Sequence, residues 1–314
     1  MIVKSTGKVT SELYVMGAID LPAFLLAAES PVVIDAGMTC MGEQYIREIR
    51  EILKDRVPSR LFLTHSHYDH CGAAAQIREA FPGIQVCCAE AGVKVFENPR
   101  AVATMRDLNR SGTRYMASLE QPPTGFTPDP PDFEPAAVDC PLSDGDVFDL
   151  GPDVSLQAIA TPGHTRDSMS FYIPERKMLF TGEALGVRAD NGYIFSEWLS
   201  SYEAYVQSME RLRALDVDVL CLAHGCVLTG PDARAHMQRT VEYCAYFRDL
   251  IEKTLDATGG DVQAAKARIR ESEYDPLPDP KQPDFAYLIN LEAKIRAVQQ
   301  LAKGVTPKGS NLDF

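Results

Sequence analysis

Four side chains that can bind a metal ion fall within a six-residue stretch: His65, His67, Asp69 and His70. A short apolar run at 60–64 predicts a strand just before them, and the alanine-rich segment after them predicts the start of a helix. The stretch therefore lies on a turn at the carboxyl end of a strand, where α/β proteins place their ligand sites. In extended or turning backbone, His65 and His67 point the same way and can bind one ion. Asp69 and His70 project from the next part of the turn and can bind a second.

Three further candidate ligands each follow a predicted strand and each adjoin a glycine: His164, Glu183 and His224. The glycines let the backbone turn sharply beside a crowded centre. Nitrogen and carboxylate ligands without thiolates favour Zn, Fe or Mn over a structural cysteine-zinc site. Seven ligands are too many for one tetrahedral ion, so they predict two divalent metal ions that leave positions open for water and substrate.

The alternative interpretation is that these histidines are hydrogen-bonded core residues. Five of the six histidines of the chain lie at strand ends around one dense motif, and this concentration favours the metal site. The sixth, His236, stands apart on a predicted helix near Arg234 and Arg239, and we expect it to be a surface residue.

Composition and charge limit the class of protein. The chain has 314 residues, of which 45% are hydrophobic and 24% are charged, as in an ordinary globular protein. With no long apolar run and an N-terminus unlike a signal or transit peptide, we expect a cytoplasmic protein without a membrane partner. The net charge of −13, without a basic run, argues against nucleic acid as a partner. The eight cysteines form no C-x-x-C pair, and we expect them to be small buried residues.

The hydrophobic pattern predicts a layered α/β architecture. Short apolar runs bounded by Gly, Pro or Ser predict strands over residues 8–90 and again over 137–225, with helices between them. The two stretches could form two halves of one sandwich. Residues 97–136 predict an insertion that is first helical and then proline-rich. Apolar stripes at helical spacing follow, so we expect a domain of residues 1–230 and a C-terminal helical cap of residues 231–314.

The spacing of the ligands resembles that of the metallo-β-lactamase superfamily. The resemblance rests on His65-Ser66-His67-Tyr68-Asp69-His70, then His164, an acidic residue at 183 and His224, with Asp35 at the end of an early strand. It covers about residues 10–230 and implies an αβ/βα four-layer sandwich with two metals at the sheet edges. Within the superfamily, the layout is most similar to the thioesterase-type quinolone-signal response proteins.

The resemblance also implies roles for the ligands. By position, the first metal would be bound by His65, His67 and His164, and the second by Asp69, His70 and His224. Glu183 would bridge the two ions. The superfamily usually has Asp at this place, and the extra methylene of Glu moves the carboxylate outward. We expect Glu183 to remain a ligand, while binding to one metal only or a weak second site are the alternatives.

These observations predict a binuclear metal-dependent hydrolase. A metal-bound hydroxide would attack a carboxylic ester or thioester of a small metabolite, and Asp69 would orient it and take the proton that the water loses in forming it. The alternatives are a small-molecule phosphodiesterase and a regulatory or binding protein with incidental hydrolysis. Candidate substrate contacts, each equally explained by core packing, are Tyr68, Tyr193, Phe195 and Trp198. The sequence does not decide the oligomeric state, and a homodimer remains open.

Overall fold

The computed structural model describes residues 1–278 and 281–302, in which strands and helices alternate as predicted. The strands, in chain order, are β1 (Ile2–Val3), β2 (Gly7–Lys8), β3 (Leu13–Ala18), β4 (Leu21–Leu26), β5 (Val32–Ile34), β6 (Arg60–Phe62), β7 (Gln85–Ala89), β8 (Cys140–Leu142), β9 (Val147–Asp149), β10 (Ser155–Ala160), β11 (Met169–Ile173), β12 (Met178–Phe180), β13 (Val187–Arg188), β14 (Ile194–Phe195), β15 (Val219–Cys221) and β16 (Val227–Thr229).

The helices connect these strands and then dominate the last part of the chain. In chain order they are α1 (Gly42–Leu53), α2 (Tyr68–Cys71), α3 (Ala74–Ala80), α4 (Glu90–Phe96), α5 (Pro99–Ser118), α6 (Tyr202–Arg213), α7 (Pro231–Ala257), α8 (Val262–Ile269) and α9 (Asp284–Ala302). Short 3-10 turns precede α1 and follow β11, and a π-helical turn, Arg270–Tyr274, follows α8.

The strands form two seven-stranded sheets. The first has the order β2-β3-β4-β5-β6-β7-β8, and its last four strands run parallel. Parallel neighbours need crossover connections, which α1 supplies between β5 and β6, and α2 with α3 between β6 and β7. The second sheet has the order β1-β16-β15-β12-β11-β10-β9, and β13 and β14 form a separate pair.

The predicted division into two β-rich halves holds apart from two strands. The N-terminal strand β1 joins the second sheet, because Ile2 pairs with Leu228 of β16. Conversely, β8 opens the second stretch of the sequence but joins the first sheet, where Cys140 pairs with Cys87. Both exchanges rest on contacts between distant parts of the chain, which a local hydrophobic pattern does not reveal.

The core of the two sheets is a layer of aromatic and aliphatic side chains. Phe24 of the first sheet lies 5.4 Å from Phe180 of the second, and Phe62 lies 5.2 Å from Phe171, measured between ring centroids. All four rings are buried, and each contributes about 1.5–3 kcal/mol to folding. The two sheets therefore form the predicted sandwich, which places the ends of β5 and β6 on a rigid base.

Contacts within the chain define two compact units. One comprises residues 1–160, 167–182 and 216–233, and contains both large sheets with α1 to α5. The other comprises residues 161–166, 183–215 and the described residues from 234 to 302, and contains the β13–β14 pair, α6, α8 and α9. The boundary at residue 230 stays a prediction, and residues 303–314 of the expected cap lie outside the described residues.

The segment expected to be an insertion begins with a well-defined helix. The side chain of Asn98 accepts hydrogen bonds from the backbone N–H groups of Arg100 and Ala101, and Pro99 occupies the first helical position of α5. The proline-rich residues 119–139 then form neither helix nor strand. Within residues 1–278 and 281–302, no helix has the length and apolar character needed to cross a bilayer.

Candidate metal centre

The dense motif lies where the sequence predicted, directly after β6. His65 and His67 belong to the loop that leaves the strand, and Asp69 and His70 belong to the single turn of α2. His65 and His70 are almost fully buried, with 2% of the surface of each exposed, while Asp69 is partly exposed. The motif therefore faces the interior on one side and remains accessible at Asp69.

Asp35, at the end of β5, holds this loop in place. Its Oδ1 accepts a hydrogen bond of 2.8 Å from the N–H of Thr64, and its Oδ2 accepts one of 2.9 Å from the Thr64 hydroxyl. Oδ2 also lies 2.9 Å from Nδ1 of His70. Asp35 has a φ of 60°, a left-handed conformation that aspartate tolerates better than most residues. One buried carboxylate thus fixes the positions of both the loop and His70.

The hydrogen bonds of the histidines determine which ring nitrogen can bind a metal. Nδ1 of His70 lies 2.9 Å from the Asp35 carboxylate. Nδ1 of His164 lies 2.7 Å from the backbone carbonyl of Glu197, and Nδ1 of His224 lies 2.7 Å from the backbone carbonyl of Asp20. Because these oxygens accept hydrogen bonds, Nδ1 carries the proton and Nε2 is left as the ligating nitrogen.

In His65 the proton is also on Nδ1, which contacts the Asp35 carboxylate indirectly, through the Thr64 hydroxyl. The Thr64 hydroxyl donates to Asp35, so its oxygen accepts from Nδ1 of His65, at 3.0 Å. In these four histidines, Nε2 is therefore the nitrogen that can bind a divalent metal.

We expect Asp35→Asn to weaken the metal site more than its loss of stability explains. The amide has one acceptor oxygen in place of two, so it cannot accept all three hydrogen bonds that Asp35 accepts from Thr64 and His70. We expect metal affinity to fall by about 10–100-fold and the free energy of unfolding to fall by about 1–3 kcal/mol. Metal titration and denaturant unfolding measure the two effects. Asp139→Asn is the matched control, since Asp139 also accepts from a backbone N–H, that of Val86, at 2.9 Å. Equal metal affinity in the two variants would contradict this role for Asp35.

His164 follows β10 through a tightly packed glycine. Gly163 has a φ of 135°, and a Cβ built there would lie 2.3 Å from the Cα of Tyr205. The carbonyl of Gly163 accepts hydrogen bonds from the backbone N–H groups of Leu199, Ser200 and Ser201. These contacts fix His164 against the start of α6, and they need a residue without a side chain.

Gly163→Ala is expected to lower the free energy of unfolding by about 2–5 kcal/mol, because left-handed strain and a steric overlap add together. Gly145→Ala separates the backbone strain from the steric overlap. Gly145 also has a positive φ, of 86°, but a Cβ there would meet no atom within 4 Å. We therefore expect the control to lose only about 1–2 kcal/mol in the same denaturant experiment. Equal losses would show that the packing against Tyr205 adds nothing.

Glu183 lies close to members of both predicted metal sites. Its backbone carbonyl accepts a hydrogen bond of 2.9 Å from the Tyr205 hydroxyl, and its Oε2 lies 3.4 Å from Nδ1 of His164.

His224 follows β15, and its Nε2 lies 3.8 Å from Oδ2 of Asp69.

The seven predicted ligands fall into two groups, and the ligand atoms within each group lie within 4.8 Å of one another. The first ligand group is His65, His67 and His164, and the second is Asp69, His70, Glu183 and His224. The resemblance implied the same three histidines for the first ion, and it implied Glu183 as a bridge between the two ions, whereas Glu183 falls in the second group alone. Metal binding by these seven residues stays a prediction. Three imidazoles in one group, and two with carboxylates in the other, suit Zn, Fe or Mn.

Comparison with known proteins agrees with this geometry. Residues 23–224, which include all seven predicted ligands, match the model of the metallo-beta-lactamase superfamily. The chain belongs to the metallo-β-lactamase superfamily. The fold predicted from the resemblance is therefore confirmed, and so is membership of a superfamily of metal-binding hydrolases.

Curated relatives in the superfamily are distant. The chain is 26% identical over 168 residues to the probable metallo-hydrolase YqgX of Bacillus subtilis, covering 52% of this chain and 64% of YqgX. It is 29% identical over 198 residues to the acyl-coenzyme A thioesterase MBLAC2 of Bos taurus, covering 59% and 64%. The chain thus spans slightly less than two thirds of the length of each relative.

A solved superfamily structure matches nearly the whole chain. The metallo-beta-lactamase family protein TTHA1429 from Thermus thermophilus has a TM-score of 0.61 at 19% identity. The match covers 96% of this chain and 93% of that one. At this identity the likeness shows the fold alone.

The four candidate substrate residues lie in different surroundings. Tyr68 is partly exposed beside the ligands of α2. Tyr193 packs edge-on against Phe195, at 5.0 Å between ring centroids, and its hydroxyl donates to Glu273 at 2.9 Å. Trp198 is fully buried and packs against rings including Tyr202 and Phe247. Substrate contact stays a prediction for all four.

The expectation that His236 is a surface residue was wrong. Only 3% of its surface is exposed, and its Nε2 lies 3.0 Å from the carbonyl of Leu185. Burial lowers the pKa of His236 to about 4, so the imidazole is neutral at pH 7. The signal was present in the sequence, because His236 shares the helical stripe of Ala233, Met237 and Thr240, which are buried.

Sequence reasoning also missed a buried ion pair, Glu197 with Lys294 of α9. The Lys294 ammonium lies 3.2 Å from Oε2 of Glu197, and both side chains are buried. Burial raises the pKa of Glu197, while the nearby ammonium acts in the opposite direction. Lys294 could have been found, since it lies on the apolar stripe of α9 with Leu291, Ile295 and Val298.

Proposed function

We propose that the protein is a binuclear metal-dependent hydrolase that cleaves a carboxylic ester or thioester of a small metabolite. The observation that carries the proposal is the pair of ligand groups, each with its ligand atoms within 4.8 Å of one another. Membership of the metallo-β-lactamase superfamily supports the hydrolytic class. The likeness to an acyl-coenzyme A thioesterase supports the choice of an acyl thioester as the substrate class.

The chain's own residues prepare the site for two ions. His65, His67 and His164 would hold one ion, and the four residues of the second ligand group would hold the other. Bound divalent ions supply an activated water as nucleophile and a Lewis acid for the substrate oxygen. Asp35 and the carbonyls of Asp20 and Glu197 hold the imidazoles in the tautomer that ligates through Nε2.

Asp69 is the residue we assign to proton transfer. Its carboxylate lies beside His224, with 3.8 Å between Oδ2 and Nε2, and its side chain is 22% exposed. It therefore belongs to the second ligand group and is also accessible to incoming water. A carboxylate there orients the attacking water, accepts its proton and returns a proton to the leaving thiol or alcohol.

The acyl part of the substrate would contact aromatic side chains. Tyr193 and Phe195 form an edge-on pair, and Phe195 in turn packs edge-on against Tyr287 of α9, at 6.1 Å between centroids. We propose the rings of Tyr193 and Phe195, together with Tyr68 beside the ligands, as contacts for an apolar acyl group. Trp198, whose ring is fully buried, would support them by packing rather than by touching the substrate.

A substrate panel tests the proposal. Protein reconstituted separately with Zn, Mn and Fe is assayed with acyl-coenzyme A thioesters, carboxylic esters, lactones and bis(p-nitrophenyl) phosphate. We expect the highest kcat/KM with an acyl thioester or ester, and a further rise with acyl chain length that Phe195→Ala removes. Hydrolysis confined to the phosphate diester would replace this function with a phosphodiesterase. Metal binding without turnover of any substrate would favour a regulatory or binding protein.

A further inference from the structure

The second compact unit contains a buried ion pair that does not belong to either ligand group. Glu197 has no exposed surface, and Lys294 has 1% of its surface exposed. The Lys294 ammonium donates to Oε2 of Glu197 at 3.2 Å and to the carbonyl of Ser196 at 2.9 Å. Asn290, one turn earlier on α9, donates to the same Oε2 at 3.2 Å. Lysine and glutamate are rarely buried completely unless they are paired, as they are here.

Both α9 side chains converge on one dipeptide, Ser196-Glu197. Lys294 donates to the carbonyl of Ser196 and to the carboxylate of Glu197, and Asn290 donates to the carboxylate of Glu197 alone. The helix therefore determines where the main chain of residues 196–197 runs.

The same main chain holds a predicted metal ligand. The carbonyl of Glu197 accepts a hydrogen bond of 2.7 Å from Nδ1 of His164, and its N–H donates to the Tyr205 hydroxyl at 3.2 Å. That hydroxyl donates in turn to the carbonyl of Glu183, at 2.9 Å. A carbonyl bound to the second nitrogen of an imidazole sets both the tautomer and the direction of the ring.

A buried ion pair is in general weak evidence for a contribution to stability. Replacing a buried ion pair by packed hydrophobic residues is often neutral or stabilising, because the two charges no longer have to be desolvated. The chain instead uses three directed hydrogen bonds from one helix to one dipeptide. This points to a requirement for position rather than for folding energy.

We propose that Glu197 and Lys294 are positioning residues of the metal centre, through which α9 fixes the direction of the His164 ring. The inference rests on the proposed function, because it requires a metal at the first ligand group. It makes the C-terminal helix part of the metal site, although α9 itself contributes no ligand.

Zinc affinity, measured by competition with a chromogenic chelator, and the visible spectrum of the cobalt-substituted protein test the proposal. We compare the wild type with Lys294→Met, Glu197→Gln and the double variant. We expect each to bind the first ion about 10–100-fold more weakly and to change the cobalt spectrum. The double variant should still bind zinc more weakly than the wild type, even if its free energy of unfolding equals that of the wild type.

Lys266→Met is the matched control. Lys266 of α8 pairs with Glu292 of α9 at 2.7 Å, so its loss weakens the docking of the same helix without touching residues 196–197. We expect wild-type zinc affinity and an unchanged cobalt spectrum in this variant. Wild-type zinc binding in Lys294→Met, or an equal loss in Lys266→Met, would overturn the proposal.

Failure of a variant to fold and failure of the wild type to bind zinc have separate consequences. If Lys294→Met does not fold, Asn290→Ala removes only one of the hydrogen bonds to Glu197, and an unchanged zinc affinity in it overturns the proposal. If the wild type itself binds no zinc, the proposed function fails and this inference fails with it. If the wild type binds zinc and the variants bind it with the same affinity, this inference is wrong but the proposed function stands.

Discussion

Asp69→Asn is expected to lower kcat on an acyl thioester by about 10²–10⁴-fold, the range that a positioned acid or base contributes. The amide can still fill the space, but it cannot accept a proton from the attacking water. KM should change much less, because the substrate contacts proposed above lie elsewhere. Steady-state kinetics of the reconstituted protein measure both constants.

The controls for Asp69 separate proton transfer from metal loss. Asp55→Asn changes an exposed carboxylate outside both ligand groups and should leave kcat unchanged. Metal content must be measured on the same Asp69→Asn sample, since Asp69 also belongs to the second ligand group. Full activity in Asp69→Asn at full metal content would contradict the assigned role.

Removing the metal is expected to abolish hydrolysis and to destabilise the fold. Chelation should reduce turnover to the background rate, and Zn, Mn or Fe should restore it, whereas Ca should not, because it prefers oxygen ligands. At a free metal concentration of 100 times Kd, each filled site adds about 2.7 kcal/mol to the free energy of unfolding. Denaturant unfolding of the apo and reconstituted protein measures this difference.

The buried histidines provide the reason for that stability change. The imidazoles of His65 and His67 pack edge-to-face, with 4.6 Å between their ring centroids. A bound cation would give this cluster of ligands a common partner. Identical unfolding curves with and without metal, combined with undiminished hydrolysis, would rule out a metal-dependent reaction.

Local sequence patterns were sufficient for many of the strands and for placing the candidate ligands at strand ends. Strands such as β5 and β6 follow from short apolar runs, and the ligands follow from histidine and acidic residues placed at their ends. The pairing of β1 with β16 was beyond this reasoning, since Ile2 and Leu228 meet only in the folded chain. Hydrophobic periodicity identifies which elements exist, but it does not determine which strands become neighbours.

Buried polar residues were the other class that sequence reasoning missed. His236 was expected to lie at the surface and Lys294 was not singled out, although each shares a helical stripe with buried apolar residues. Their burial depends on partners from distant segments, the carbonyl of Leu185 and the carboxylate of Glu197. A polar residue inside an apolar stripe signals such a partner without saying which one it is.

The metal content of the reconstituted protein tests the central claim most directly. Elemental analysis after saturation with Zn and removal of free metal should give about two ions per chain in the wild type. His67→Ala and His224→Ala each remove a ligand from a different group, so each should lower the content to about one ion. One ion or fewer per chain in the wild type would contradict the two-metal centre.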